Sequence, residues 1–459
     1  MYQIDFNHPV SVYFCGIGGI SMSGLAEILL SRGFKVSGSD RLKSRLTEAL
    51  EEKGATIYYG QRAENITDDI QLVVYTAAIS QDNPEWIAMK EKQIPCLSRA
   101  ELLGEIMNNY ELPVAIAGTH GKTTTTSMVS EILLHADTDP TLSIGGILKS
   151  IDGNIRVGHS QYFVTEACEY TNSFLHFNPK ISIILNIEED HMDFFKDLED
   201  IRNSFSRFAA LLPADGTLII NGEIPNIEGI TKPVGCPCIT YGFEENCTYY
   251  ADQITYNEFG HPTFVLHSEG HPDSTVTLAV PGRHNVSNAM AAIAFADCAG
   301  IARNTALMAL RGFGGTERRF EYKGTLAGIT IIDDYAHHPT EIEATLTAAA
   351  NYPHQKLWCV FQPHTYTRTQ AFLPEFAKAL SLADHVVLSD IYAAREKNTL
   401  GIHSTDLLKE IQKEGTPCDY FPSFDEIENF LLENCTQGDL LITMGAGDIV
   451  KVGERLLGK

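Results

Sequence analysis

No stretch of this chain approaches the roughly 20 uninterrupted apolar residues that a membrane-spanning helix needs. An integral membrane bundle is therefore excluded. Basic residues are scarce: 34 Lys and Arg stand against 59 Asp and Glu, a formal net charge of −25. Such an acidic surface repels polyphosphate backbones at long range, which argues against a nucleic-acid or anionic-membrane partner. An anionic small molecule would have to be caught by a local pocket against the global field. The ten cysteines contain no CxxC pair, and Cys15, Cys298 and Cys359 fall in apolar runs where thiols pack as small hydrophobes. The opening residues Met1-Tyr2-Gln3-Ile4-Asp5-Phe6 lack the basic and apolar regions of a secretory signal. Together these absences predict a cytoplasmic protein with reduced thiols. Low-complexity tracts and short repeats are missing as well.

What is present is the material of several packed cores. Hydrophobic residues make up 44% of the 459 residues and charged ones 20%. At about 150 residues per domain the length suggests three. Three times the chain runs through a short apolar stretch, a glycine-rich or polar turn and a helical pattern, the signature of α/β architecture. The first is Pro9 to Cys15, then Gly16-Ile17-Gly18-Gly19 and a helix from Met22 through Leu30. A further strand from Phe34 leads to Asp40. The second is Pro113 to Ala117, then Gly118-Thr119-His120-Gly121-Lys122 and a helix carrying Met128 and Ile132. The third is Gly328 to Ile332, a turn at Asp333-Asp334-Tyr335, and Pro339 in a first helical turn. Between residues 215 and 280 short β-rich runs such as Pro262 to Leu266 read as an insertion in the middle domain. The expected domains are 1–110, 111–321 and 322–459.

Three sites follow. The segment Gly118-Thr119-His120-Gly121-Lys122-Thr123-Thr124 joins a strand to a helix, as a phosphate-binding loop does. Glycines admit backbone N–H groups to phosphate oxygens, Lys122 reaches the β/γ-phosphates and a Thr hydroxyl meets Mg²⁺. Ile116 stands where the P-loop pattern has its first glycine, and the plain alternative is an ordinary turn with a surface lysine. Gly16-Ile17-Gly18-Gly19 with Ser21 resembles a dinucleotide loop that lacks its third glycine. It suits an anionic diphosphate, with Asp40 near a ribose or base. Glu166, with Glu169 after it, and Glu188-Glu189-Asp190-His191 close two further strands. Glu166 is a natural oxygen ligand for Mg²⁺, although caps and salt bridges at helix starts explain such carboxylates too.

The motifs GTHGKTTTT at 118–126, TEACEYTNSFL at 165–175, NIEEDHMD at 186–193 and PGRHNVSNAMAA at 281–292 resemble those of the Mur ligases of peptidoglycan synthesis. ERRFE at 317–321, DDYAHHPTE at 333–341 and FQPHTYTRT at 361–369 continue the resemblance in order. It implies an amino-terminal Rossmann-like domain for a UDP-sugar, a central P-loop-type ATPase domain with a β insertion, and a carboxyl-terminal Rossmann-like domain for the amino acid. It also implies an ATP-dependent ligase that joins L-alanine to UDP-N-acetylmuramate, with two Mg²⁺ ions and Mn²⁺ as the alternative. By motif, Lys122 and Thr123 match the ATP-phosphate residues, and Thr123, Glu166 and His191 the metal ligands. His284, Asn285, Asn288, Arg319 and Asp333 match ATP contacts.

In the third domain Tyr335, His338, His364 and Arg368 match the amino-acid site. Arg368 would fork onto the carboxylate, while His337 or His338 orients or deprotonates the amine. The bland alternatives are His338 as a helix cap and His337 as a surface residue. Two departures stand out: Ser206 replaces the carbamate-forming lysine of several relatives, and Thr365 replaces an arginine. A ligase for recycled peptides and a non-catalytic nucleotide-binding regulator are the rival readings. The pattern is compatible with a monomer or a dimer.

Overall fold

The run Ser11–Cys15 is buried along its whole length, as a strand covered on both faces must be. The computed structural model describes residues 2–76, 79–394 and 396–459. It places that run at the centre of an all-parallel sheet of order Thr56–Tyr59, Lys35–Asp40, Ser11–Cys15, Leu72–Tyr75, Cys96–Ser98. Strand order reverses beside the central strand, so the glycine loop after Cys15 opens into the switch-point crevice where such sheets bind ligands. In the same way Leu112–Ala117 lies between Ile181–Ile184 and Tyr162–Ala167, with Thr217–Asn221 and Thr141–Leu148 beyond them, all parallel. The carboxyl ends of these strands carry the phosphate-type loop, Glu166 and Asn186.

The third sheet runs Glu321–Leu326, Ile329–Asp334, Leu440–Met444, Leu357–Phe361, His385–Leu388, Cys418–Tyr420. Its first pair is an antiparallel hairpin and the rest is parallel. Alternate residues feed two cores: Ile332, Cys359, Phe361 and Ile442 on one face, Ile331, Trp358, Val360 and Leu441 on the other. Asp333 and Asp334, expected in a turn, are the last residues of a strand. The β insertion is the antiparallel set Tyr249–Tyr256, Pro262–Ser268 and His271–Thr277. Among the described residues no helix is long and apolar enough to cross a membrane.

Three sheets are present, but compactness divides the chain into two units. One comprises 1–145, 150–187 and 199–239; the other comprises 146–149, 188–198 and 240–459. The expected boundary near residue 110 is not a gap, because the first two sheets share an interface. Arg32 Nη2 donates to the Gly158 carbonyl (2.8 Å), and Tyr110 Oη donates to Thr141 Oγ1 (3.0 Å). The helix Arg99–Met107 lies so close to the turn at His176 that a Cβ on Gly104 would sit 1.9 Å from the His176 carbonyl oxygen. In the second unit the insertion joins the third sheet's helices, with Phe259 stacked obliquely against Tyr352.

Gly104→Ala is therefore expected to lower stability by about 1–3 kcal/mol, the usual cost of overpacking a contact that cannot relax. Gly229→Ala, where an added Cβ meets no atom within 4 Å, should leave the stability within about 0.5 kcal/mol of the parent's. Equal melting temperatures for both variants would contradict the close approach.

Candidate active site

The amino-terminal loop spends part of its backbone on itself. Gly16 and Ile17 N–H both donate to the Ser39 carbonyl (2.9 Å each), and Gly18 N–H donates to Asp40 Oδ2 (2.9 Å). Asp40 also accepts from Arg41 N–H at 2.8 Å. Asp40 thus accepts two backbone N–H groups, and the first four amides of the loop are occupied, Gly19 N–H by the Gly16 carbonyl (3.3 Å). The amides suited to an anion are those at the start of the helix Ile20–Ser31, which lack intrahelical acceptors. Ser21 lies among them; Gly19 is the N-cap.

The second loop is held from the neighbouring strand. Thr119 N–H donates to the Asn186 carbonyl (3.2 Å) and His120 N–H to Asn186 Oδ1 (2.7 Å), while Asn186 Nδ2 returns a bond to the His120 carbonyl (3.0 Å). The clamp is invisible in the sequence because Asn186 lies 66 residues away. Gly121, at φ +83°, caps the helix Lys122–His135 from the left-handed region, which Thr124 continues. Lys122 Nζ donates to the Gly118 and Thr119 carbonyls and pairs with Glu169 Oε2 at 3.1 Å. Burial alone would lower its pKa; Glu169 more than offsets this, the net shift is upward, and the ammonium stays charged. Glu169 was legible as an acidic neighbour but not as the lysine's counter-ion.

Thr123 Oγ1 donates to Glu166 Oε2 (3.1 Å), and Gly145 N–H to Glu166 Oε1 (2.5 Å). A hydroxyl and a carboxylate side by side at a helix start form a hard oxygen donor set, which fits Mg²⁺. Gly145 is the unforeseen member: a Cβ there would lie 2.6 Å from both carboxylate oxygens.

His191, in the second unit, sits at φ +54°, a strained backbone for a residue with a Cβ. Its N–H donates to Asp190 Oδ1 at 2.7 Å. Asp190 Oδ1 also accepts from Arg368 Nε (3.3 Å) and Nη2 (2.7 Å), both side chains being nearly buried. Burial pushes the Asp190 carboxyl up, but Arg368 and then His191 outweigh it and hold the group well below the usual range. Arg368, expected to fork onto a substrate carboxylate, thus also has a resident one.

The arginine pair at the start of the third sheet divides its roles. Arg318 Nε donates to Asp333 Oδ2 (3.0 Å), and its Nη atoms donate to the Gly445 and Gly447 carbonyls. Thr443 Oγ1 takes the other Asp333 oxygen at 2.7 Å. Asp333 is fully buried, so it braces this junction instead of presenting a carboxylate to a ribose. Asp334 receives Phe320 and Ala336 N–H at 2.7 Å each, and burial raises its pKa to about 6. Arg319, 28% exposed and 4.0 Å from Glu341, is the arginine still available to a ligand. In the helix Arg283–Cys298, His284 is exposed. Asn285 donates to the Pro281 carbonyl (2.7 Å) and Asn288 to Asn285 Oδ1 (3.1 Å).

The histidines also separate. His338 caps the helix Pro339–Ala349, accepting Thr340 N–H at Nδ1 (3.4 Å), and its Nε2 donates to the Glu189 carbonyl (3.1 Å). Both ring nitrogens are used structurally, so the amino-acid role expected of His338 gives way to capping. His337 is not a surface residue: Nδ1 lies 3.0 Å from the Tyr335 carbonyl, and burial lowers its pKa to about 4. His364, stacked on Tyr392, is lowered to about 4 by burial and then by Arg368. Tyr335 lies under the guanidinium of Arg318.

A switch-point sheet and a phosphate-type loop beside an oxygen donor set define a nucleotide-using class of α/β protein. Family models agree: the Mur ligase family catalytic domain matches residues 11–111, the Mur ligase middle domain 116–296, and the Mur ligase glutamate ligase domain 318–447. The UDP-N-acetylmuramate–L-alanine ligase of Agathobacter rectalis is 60% identical over 459 residues, the whole of both chains. That of Lachnospira eligens is 59% identical, again over 100% of each. Among solved structures, the UDP-N-acetylmuramate-alanine ligase MurC of Thermotoga maritima is 29% identical with a TM-score of 0.80 over 98% of each chain. The murein peptide ligase of Psychrobacter arcticus gives 26% and 0.71, also over 98% of each. The chain belongs to the Mur ligase family and has its three α/β domains.

Two outcomes are expected. Gly145→Ala displaces the Glu166 carboxylate and raises the Mg²⁺ concentration for half-maximal rate about tenfold, the scale of a lost ligand-orienting contact; an unchanged Mg²⁺ titration would refute the clamp. His337 and His364 gain their protons only as pH falls toward about 4. They are thus already neutral at pH 6.5, and the rate profile for the amino acid should show no histidine step between pH 5.5 and 8. A step near 6.5 that disappears in His337→Gln would contradict it.

Proposed function

We propose that this chain joins L-alanine to the carboxylate of UDP-N-acetylmuramate, converting ATP to ADP and phosphate, in the synthesis of peptidoglycan precursors. The observation that carries the reading is full-length identity of 60% to an L-alanine ligase, with the family's phosphate-loop residues in place.

The chemistry explains the residues. A free carboxylate and an ammonium do not condense at neutral pH, so the carboxylate must first acquire a leaving group. Attack of the muramoyl carboxylate on the γ-phosphorus of ATP gives an acyl phosphate, and the alanine amine then displaces phosphate from the acyl carbon. The first step brings two anions together, and its barrier is electrostatic. Lys122, kept charged by Glu169, supplies a cation at the mouth of the loop, and the helix start beneath it adds backbone donors. Thr123 and Glu166 would hold Mg²⁺, which when bound neutralises phosphate charge; His191 is assigned to the same role by its motif. The helix start after Gly19 is assigned to the UDP diphosphate. Arg319, with His284, Asn285 and Asn288, is assigned to ATP. Arg368 and His364 are assigned to the alanine carboxylate, and neutral His337 orients the amine.

Phosphate release from ATP and UDP-N-acetylmuramate should require L-alanine, and Lys122→Ala should reduce it at least about a hundredfold, as loss of a transition-state charge contact does. UDP-sugar binding should persist in that variant. Release driven by a tripeptide and not by L-alanine would replace this reading with that of a murein peptide ligase. Normal turnover by Lys122→Ala would refute the mechanism.

A further inference from the structure

Three consecutive residues, Glu188 to Asp190, are each engaged by the helices Pro339–Ala349 and Tyr366–Ala371, which follow strands of the third sheet, or by the first one's cap. Thr340 Oγ1 donates to Glu188 Oε2 (2.8 Å), His338 Nε2 reaches the Glu189 carbonyl (3.1 Å), and Arg368 Nη2 donates to Asp190 Oδ1 (2.7 Å). The last contact orders the guanidinium. A guanidinium has five N–H bonds in one plane. Asp190 takes the Nε–Nη2 edge, and His364 Nδ1 lies 3.2 Å from Nη1. Counting one Nη1 N–H against His364, one N–H on each of Nη1 and Nη2 is unspent, and such a pair can hold a carboxylate end-on.

The helix carrying Arg368 is short, Tyr366–Ala371, and its start is fixed by Glu396, which accepts Tyr366 N–H (2.7 Å) and Thr367 N–H (3.0 Å). Backbone and head group are therefore held by two different carboxylates. A long side chain held this way does not have to be ordered when its ligand arrives, so less affinity is lost to ordering.

We propose that Asp190 is a positioning residue for the amino-acid seat: by occupying the inner edge of Arg368 it turns the outer edge toward the substrate carboxylate. The proposal rests on the reading of Arg368 as the carboxylate anchor. It explains why the arginine keeps a resident carboxylate and still serves an anion: the two carboxylates address different edges.

The test is a double-mutant cycle on the full chain, following L-alanine-dependent phosphate release, with UDP-sugar binding and melting temperature measured alongside. Asp190→Asn should raise the KM for L-alanine about tenfold, within the range for directly coupled groups, with kcat changed less and UDP-sugar affinity unaltered. Arg368→Lys, which cannot present two edges, should raise the same KM, and Asp190→Asn should then add little. If Arg368→Lys leaves that KM unchanged, the anchor reading fails. If Arg368→Lys raises it and Asp190→Asn does not, the anchor stands and the proposal is overturned. An equal effect of Asp190→Asn in both backgrounds marks a general structural role and also overturns it. Should Asp190→Asn lose UDP-sugar binding, Asp190→Glu replaces it in the cycle: a shifted KM that disappears beside Arg368→Lys sustains the proposal, and an unshifted one overturns it.

Discussion

Parallel strand pairing is the constraint from which the rest of the site follows. Ile116 pairs with Glu166 and Ala117 with both Ala167 and Ile184, so three strands end at one level and their loops leave by one edge of the sheet. That register sets Glu166 beside Thr123 and brings Asn186 under the loop at His120. A shift of one residue would turn Glu166 to the opposite face and dismantle the oxygen pair. The same logic holds in the third sheet, where Asp333 pairs with Thr443 and Asp334 with Met444. This is why the Thr443 hydroxyl can donate a hydrogen bond to the Asp333 carboxylate. Chemistry at strand ends is thus a consequence of hydrogen-bond ladders made several residues earlier.

The net charge of −25 acquires a sharper meaning once partners are named. Lys122 has Glu169, Arg318 has Asp333, Arg319 has Glu341 and Arg368 has Asp190. Every cation expected to meet an anionic substrate, and the arginine beside one of them, already faces a carboxylate. Several of these pairs are nearly buried, and a buried charge without a partner costs several kcal/mol. Each of these cations is thus already neutralised, which leaves amides at helix starts, and any guanidinium N–H not spent on a carboxylate, as the donors open to an anionic ligand. An acidic surface is compatible with anionic ligands because binding depends on such local donors and not on the long-range field.

Much of this was legible before any coordinates. Strand–turn–helix units show up through local apolar periodicity, and glycines mark the loops, so sheet centres and the phosphate-type turn could be read directly. What could not be read are contacts between residues far apart in the chain. Glu169 lies 47 residues from Lys122, and Asp190 lies 178 from Arg368; nothing local in the sequence encodes either pairing. Burial was the other blind spot. Asp333 and Asp334 look like a polar turn, yet they end a covered strand, where Arg318, Thr443 and backbone amides are spent on them. The domain count was readable from length, whereas the compact units were not. Gly104 against His176 is a steric fit between surfaces, and a glycine in a helix does not announce what it lies against.

The histidines show how burial limits what a catalytic group can do. His337 is kept neutral because its ring is largely buried, and its Nδ1 faces the Tyr335 carbonyl and Glu341 Oε2, which places the lone pair on Nε2. That tautomer is suited to accept a hydrogen bond from an ammonium. The same burial makes it a poor base: a proton moved from an α-amino group of pKa near 8 to a ring of pKa about 4 climbs by about 5 kcal/mol. Such a ring can orient an amine but is ill suited to deprotonate it.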